Sequence, residues 1–232
     1  MFRLNRVKDL NDFPADGIRG VIFDMDGTLF STQDLIVHCV NETSQKYLKR
    51  GLPRQDSLWS FGPPASNVIR KLAESLPDRP IQEAIDYYDT VYRRTFPDMA
   101  VAFHGVRALL VELDRVGKSL AVVTSETSTL SDYALETFNL RNYFDALVTS
   151  DHVLKRKPDP EGIHLALRKI QLSPQECMLV GDSAADILAG KNAGLLTGAA
   201  LWGSETWGDP RTANPDFLFS NVDELRGFFP RR

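Results

Sequence analysis

Residues 20–30 read Gly20-Val21-Ile22-Phe23-Asp24-Met25-Asp26-Gly27-Thr28-Leu29-Phe30, GVIFDMDGTLF. Val21, Ile22 and Phe23 form a continuous apolar run of the kind that builds a strand buried on both faces. The run stops at two carboxylates separated only by Met25, and Gly27 then permits a tight turn. Asp and Gly are common in solvated turns, so this pattern alone leaves a structural turn open. A calcium loop is excluded, because such a loop needs Gly at its sixth position and Glu at its twelfth. Counted from Asp24, those positions hold Leu29 and Leu35.

Working outward, further strands are expected at 120–124, 146–149, 178–180, 199–201 and Phe217–Phe219. Helices are expected between them at 106–116, 129–138, 161–170 and 183–193, with Gly117 and Gly194 as stops. Strands alternating with helices build βαβ units and a parallel sheet. Residues 31–102 break the alternation and read as helix only. Ile81, Ala84, Ile85, Tyr88 and Tyr92 make one helical stripe, and Val68, Ile69, Leu72, Ala73 and Leu76 a second; residues 34–50 read as a third helix. The expected fold is α/β: a Rossmann-like parallel sheet with helices on both faces, formed by residues 1–31 and 101–232, plus an inserted α-helical cap formed by residues 32–100. The cap tyrosines Tyr87, Tyr88 and Tyr92 are expected to pack a helical core, and hinges are expected at 30–33 and 98–103.

The 232 residues suffice for one large domain carrying such an insert. The 27 basic and 31 acidic residues are interspersed, which leaves no nucleic-acid footprint. No apolar run reaches the roughly 18 residues of a membrane span, and the N-terminal stretch carries acids and no apolar core, unlike a signal peptide. Cys39 and Cys177 form no CxxC pair and are expected as reduced core thiols, which fits a cytoplasmic protein. His38, His104, His152 and His164 show no metal-ligand spacing.

A parallel sheet directs the carboxyl ends of its strands to one edge, where ligands bind. That edge is expected to gather Asp24 and Asp26, then Thr124 and Ser125, then Lys157 ahead of Pro158, and finally Asp182 with Asp186 one helical turn later. Two carboxylates about 4 Å apart repel by about 4 kcal/mol at an effective dielectric of about 20, so such a crevice needs cations. A divalent ion and one lysine supply them. Oxygen ligands without His or Cys favour Mg²⁺ over Zn²⁺, and an acidic metal crevice with a lysine and a hydroxyl suits phosphoryl transfer.

This set of motifs resembles the haloacid dehalogenase-like superfamily of phosphohydrolases. The matching stretches are DMDGTL at 24–29, VVTS at 122–125, KP at 157–158 and GDSAADILAGKNAG at 181–194, in the family's order and at strand ends. The resemblance runs from about residue 17 to the C-terminus, and an insert between the first and second motifs matches the family's C1 cap. It implies that Asp24 is the nucleophile that becomes phosphorylated, and that Asp26 is general acid and then general base. It further implies that Thr124 hydrogen-bonds the phosphoryl group and that Lys157 neutralises charge. Mg²⁺ would be held by Asp24, the Asp26 carbonyl and Asp182, with Asp186 acting through water or by orienting Lys157. Ser125 is a candidate substrate contact, and Ser183 also neighbours the motif residues.

Asp26 argues against two branches of the family, the true dehalogenases and the phosphonoacetaldehyde hydrolases, which lack an acid there. The cap loop Phe61-Gly62-Pro63-Pro64-Ala65 carries no cation and resembles phosphoglycolate-phosphatase-like members, so Gly62 and Pro63 are expected at the substrate. The sugar-phosphate mutases carry an arginine in that loop. The expected activity is Mg²⁺-dependent hydrolysis of small phosphorylated metabolites, by a monomer or homodimer with no nucleic-acid or membrane partner. A phosphoglucomutase-like mutase is the alternative, with Arg54 or Arg70 supplying the cation, and a binding protein without catalysis is a third. Trp59 and Phe61 flank the loop. The Gly/Pro-rich stretch 201–217, LWGSETWGDPRTANPDF, borders the crevice and is expected to support it. Phosphoglycolate, a nucleoside monophosphate, a sugar phosphate and pyrophosphate all remain open as substrates.

Overall fold

The computed structural model describes residues 15–49, 51, 81–203 and 209–229. The second helical stripe, the 61–65 loop with Gly62 and Pro63, and Arg54, Trp59 and Arg70 lie outside the described residues.

The chain opens with β1 (Gly20–Phe23). The short strands β2 (Phe30–Ser31) and β3 (Val101–Ala102) bracket helices α1 (Gln33–Leu48) and α2 (Ile81–Met99). Alternation then sets in: α3 (Val106–Arg115), β4 (Ser119–Val123), α4 (Ser128–Thr137), β5 (Ala146–Val148), α5 (Glu161–Ile170), β6 (Cys177–Gly181), α6 (Ala184–Ala193), β7 (Leu196–Ala200), β8 (Phe217–Phe219) and α7 (Val222–Phe228). Six strands run parallel in the order β5-β4-β1-β6-β7-β8. The sheet and its flanking helices are those the alternation pattern predicts, and the two described helices of the insert lie where the sequence places helices. Among the described residues no helix is long and apolar enough to cross a membrane.

β1 lies at the centre and is buried along its whole length, which is why its sequence shows no polar alternation. Its residues still divide by face. Val21 and Phe23 join the apolar layer built with α3, α4 and α7, while Ile22 joins the layer built with α5 and α6. Strand ends fall within a residue or two of expectation except at β7, which begins at Leu196 rather than 199. Thr197 and Gly198 concealed that start. Thr197 is buried because Asp216 accepts from both its N–H and its hydroxyl, at 3.0 Å each. A Cβ on Gly198 would lie 2.7 Å from the Phe219 ring.

The β2–β3 pair has no counterpart in the sequence reading, which placed hinges there. Phe30 pairs with Ala102 and Ser31 with Val101 in antiparallel register. The chain therefore leaves and rejoins the sheet domain through one ribbon, too short to show a periodic pattern. Beside it Phe30 stacks on Phe138 at 4.9 Å and meets Phe96 edge-on at 6.3 Å. Phe96 also contacts Tyr92, Tyr133 and Phe138, so α2 is anchored to α4 by aromatic packing. The stripe residues Ala84, Tyr88 and Tyr92 are buried, joined by Val91 and Phe96.

Because Phe96 is fully buried at this junction, F96A is expected to lower unfolding free energy by about 3–5 kcal/mol in chemical denaturation. A loss below about 1 kcal/mol would show that the junction does not depend on it.

Candidate active site

Asp24 follows the last residue of β1, and its N–H continues the ladder to Val180 O at 2.9 Å. The chain then turns sharply: Leu29 N–H reaches Met25 O at 2.8 Å and Gly27 N–H reaches Phe30 O at 2.7 Å. Gly27 has φ +83°, and a Cβ there would lie 2.2 Å from Asp182 Oδ2. No other residue brings the turn so close to that carboxylate. Trp202, in the loop after β7, donates its indole N–H to Thr28 O at 3.0 Å and braces the turn, the supporting role expected of that loop.

Thr124 ends β4, its N–H bonded to Val148 O at 2.9 Å. Lys157 reaches across from the loop before α5. Its ammonium donates to Asp24 Oδ1 at 2.5 Å, Asp186 Oδ1 at 2.6 Å and Val123 O at 3.2 Å. Asp182 follows β6, and Ser183 caps α6 by accepting from Asp186 N–H at 3.2 Å. The second Asp186 oxygen accepts from the N–H and hydroxyl of Ser183. Both Asp186 oxygens thus have partners within the protein, an arrangement suited to holding Lys157.

Of the sequence-expected residues, Asp24, Thr124, Lys157, Asp182 and Asp186 converge at the carboxyl edge of the sheet. Asp26 stands beside them, its Oδ1 accepting from the Thr32 hydroxyl at 2.7 Å. Ser125 shares a small cavity with Thr124 and Lys157. Gly62 and Pro63 lie outside the described residues.

Carboxylate oxygens of Asp24, Asp182 and Asp186 come within 4.8 Å of one another. Three carboxylates against one ammonium leave two negative charges uncompensated. Burial pushes the Asp24 carboxyl up, to about 7, even though Lys157 pulls it down. Burial, then the charges of Asp24 and Asp186, push Asp182 well up. Burial alone would lower Lys157, but Asp186 and Asp24 together hold it above its ordinary value. Buried carboxylates in excess over cations, all with hard oxygen donors, fit a divalent ion.

The sequence reading missed Thr32 and Glu126. Thr32 precedes α1, yet its hydroxyl serves Asp26 rather than capping the helix. Glu126 looks in sequence like a solvated acid ahead of a helix, but it is 6% exposed and its N–H bonds Thr124 Oγ1 at 3.1 Å. Its place two residues after Thr124 was the available signal.

A capped parallel sheet with an acidic cluster at its carboxyl edge defines a class of phosphoryl-handling α/β enzyme, and comparison with known proteins agrees. Residues 21–200, from β1 to the last residue of β7, match the haloacid dehalogenase-like hydrolases. The chain belongs to that family, as a capped phosphatase acting on phosphate esters. It is 31% identical over 208 residues to pyrophosphatase PpaX of Anoxybacillus flavithermus, covering 90% of this chain and 95% of that one. Structural likeness extends to CbbY of Rhodobacter sphaeroides, solved with xylulose-1,5-bisphosphate, at TM-score 0.79 and 24% identity over 90% and 96% of the two chains. A Lactobacillus plantarum protein assigned as a phosphoglycolate phosphatase gives TM-score 0.77 at 21% identity over 91% and 99%.

A buried acid whose folded value is raised binds protons that the unfolded chain has lost, so its contribution to stability falls as pH rises through the folded value. For Asp24 that window runs from its ordinary 3.8 to about 7. The metal-free protein is therefore expected to lose thermal stability across this range. Mg²⁺ should raise the melting temperature more near neutral pH than at about pH 5. Equal Mg²⁺ stabilisation at both pH values would contradict the charge-excess argument.

Proposed function

We propose that the chain is a Mg²⁺-dependent phosphomonoesterase of small metabolites that works through a phosphoaspartyl intermediate on Asp24. The observation that carries this reading is the Lys157 ammonium bound to both Asp24 and Asp186. It fixes one oxygen of a buried carboxylate at the strand end and leaves the other available to attack.

Asp24 attacks phosphorus, the ester oxygen leaves, and Asp26 gives that oxygen its proton. Burial raises Asp26 above its ordinary value, although the Thr32 hydrogen bond and Lys157 oppose this, so a proton is held more readily. Thr32 occupies Oδ1 and leaves Oδ2 to carry it. Asp26 then takes a proton from water, and the hydroxide attacks phosphorus, releases phosphate and restores Asp24. Thr124 and Ser125 bind phosphoryl oxygens, and Lys157 offsets their charge. Asp24, the Asp26 carbonyl and Asp182 would hold Mg²⁺, with Asp186 positioning Lys157; the ion supplies charge neutralisation that lets an anionic carboxylate meet an anionic phosphate.

Residues 32–100 act as the cap, with 1–31 and 101–232 as the core; the ribbon at 30–31 and 101–102 supports those boundaries. The buried free thiols of Cys39 and Cys177 suit a reducing cytoplasm.

With p-nitrophenyl phosphate and Mg²⁺, D24N is expected to abolish turnover, and D26N to lower kcat by about a hundredfold or more. Chelation of divalent ions should stop the wild-type reaction. Equal rates for wild type and D24N would overturn the nucleophile assignment.

A further inference from the structure

Lys157 holds two of the three clustered acids. Its ammonium has three donors, and they go to Asp24, Asp186 and the Val123 carbonyl. None of these bonds reaches Asp182, which is 4% exposed. A carboxylate that serves a metal ion must still be held in one direction, and the groups around it do that. For Asp182 those groups lie in the turn after β1. Thr28 is buried there, and a buried hydroxyl nearly always finds a partner. Its Oγ1 donates to Asp182 Oδ1 at 3.5 Å, the long end of the hydrogen-bonding range. The other oxygen, Oδ2, occupies the space that the absent Gly27 side chain leaves, 2.2 Å from where a Cβ would stand. Both oxygens thus rest on two consecutive residues of one turn, so the position of the turn sets the direction of the carboxylate.

The turn is itself held by the loop after β7. Trp202 donates its indole N–H to Thr28 O at 3.0 Å, and its ring packs against the main apolar layer. The next residue comes closer still. A Cβ on Gly203 would fall 1.5 Å from the Gly27 carbonyl oxygen, so only glycine admits the backbone there. Two consecutive residues of this loop therefore contact the two consecutive residues on which Asp182 rests. In the sheet β6, which delivers Asp182, runs between β1 and β7, so the contact between turn and loop bridges the end of the strand that carries the ligand.

We propose that Thr28 and Trp202 are positioning residues for the metal site: Thr28 aims Asp182, and Trp202 with Gly203 holds Thr28 in place, so that the loop after β7 sets the affinity of the site for a divalent ion. This rests on the reading of Asp182 as a Mg²⁺ ligand. Neither residue takes part in making or breaking bonds; both act through Asp182. Their loss therefore weakens Mg²⁺ binding first, and slows turnover as a consequence.

The test titrates Mg²⁺ into the metal-stripped full chain by calorimetry, beside the melting temperature without metal and the rate with p-nitrophenyl phosphate. T28V keeps the branched shape and removes the hydroxyl, and it is expected to weaken Mg²⁺ binding by about tenfold or more. T28S, which keeps the hydroxyl, should stay within about threefold of wild type, a rescue that a packing role would not give. W202F keeps an aromatic ring and loses the N–H, and should weaken Mg²⁺ by about threefold to tenfold. Saturating Mg²⁺ should restore most of the rate in each variant. If T28V does not fold, W202F carries the test, because Trp202 is only partly buried. T28V binding Mg²⁺ as tightly as wild type would overturn the role of Thr28, and W202F doing so would overturn the role of the loop. A wild type that binds no Mg²⁺ would overturn the metal reading and the proposal with it. Weakened binding in the variants, with no turnover of any phosphate ester by the wild type, would keep the positioning chain and overturn the phosphatase reading.

Discussion

A single buried ammonium organises the edge of this sheet. Lys157 joins the end of β1, through Asp24, to the first turn of α6, through Asp186, and donates a third bond to the last carbonyl of β4. Without it three carboxylates would face each other in a buried space. Removing one partner of such a buried cluster leaves uncompensated charge, which is far more costly than the cluster's net worth. The arrangement is thus poised: complete enough to fold, yet short of the positive charge that a bound divalent cation would supply.

The surrounding structure serves that poise. Gly27 lets the turn approach Asp182 where any side chain would collide. Ser183 and Asp186 satisfy each other, so the carboxylate reaches Lys157 in a fixed direction. The indole of Trp202 braces the turn by donating to Thr28 O. The backbone provides the strand ends, and these contacts set where the charges point.

How much of this could be read in the sequence follows from the physics of each element. Buried parallel strands announce themselves as apolar runs, so β1, β4, β6 and β8 stood out, and the parallel arrangement then placed Asp24, Thr124, Lys157 and Asp182 on one edge. β7 was obscured because Thr197 and Gly198 are held by Asp216 and Phe219 rather than by apolar character. β2 and β3 have two residues each and no period to detect. Thr32 and Glu126 escaped because their meaning depends on what they face: a threonine before a helix reads as a cap, and a glutamate among hydroxyls reads as solvated. The phenols of Tyr88 and Tyr92 were correctly read as helix-core residues by their spacing.

The ribbon of β2 and β3 has a mechanical consequence. Two independent tethers would let an insert translate, twist and tilt, whereas two strands bonded side by side act as one pivot. Thr32 sits immediately beyond that pivot, at the head of α1, and its hydroxyl holds Asp26. Any rotation of α1 about the ribbon is therefore also a rotation of the group that orients the acid. On the mechanism proposed above, the position of the insert and the aim of the proton donor are a single coordinate.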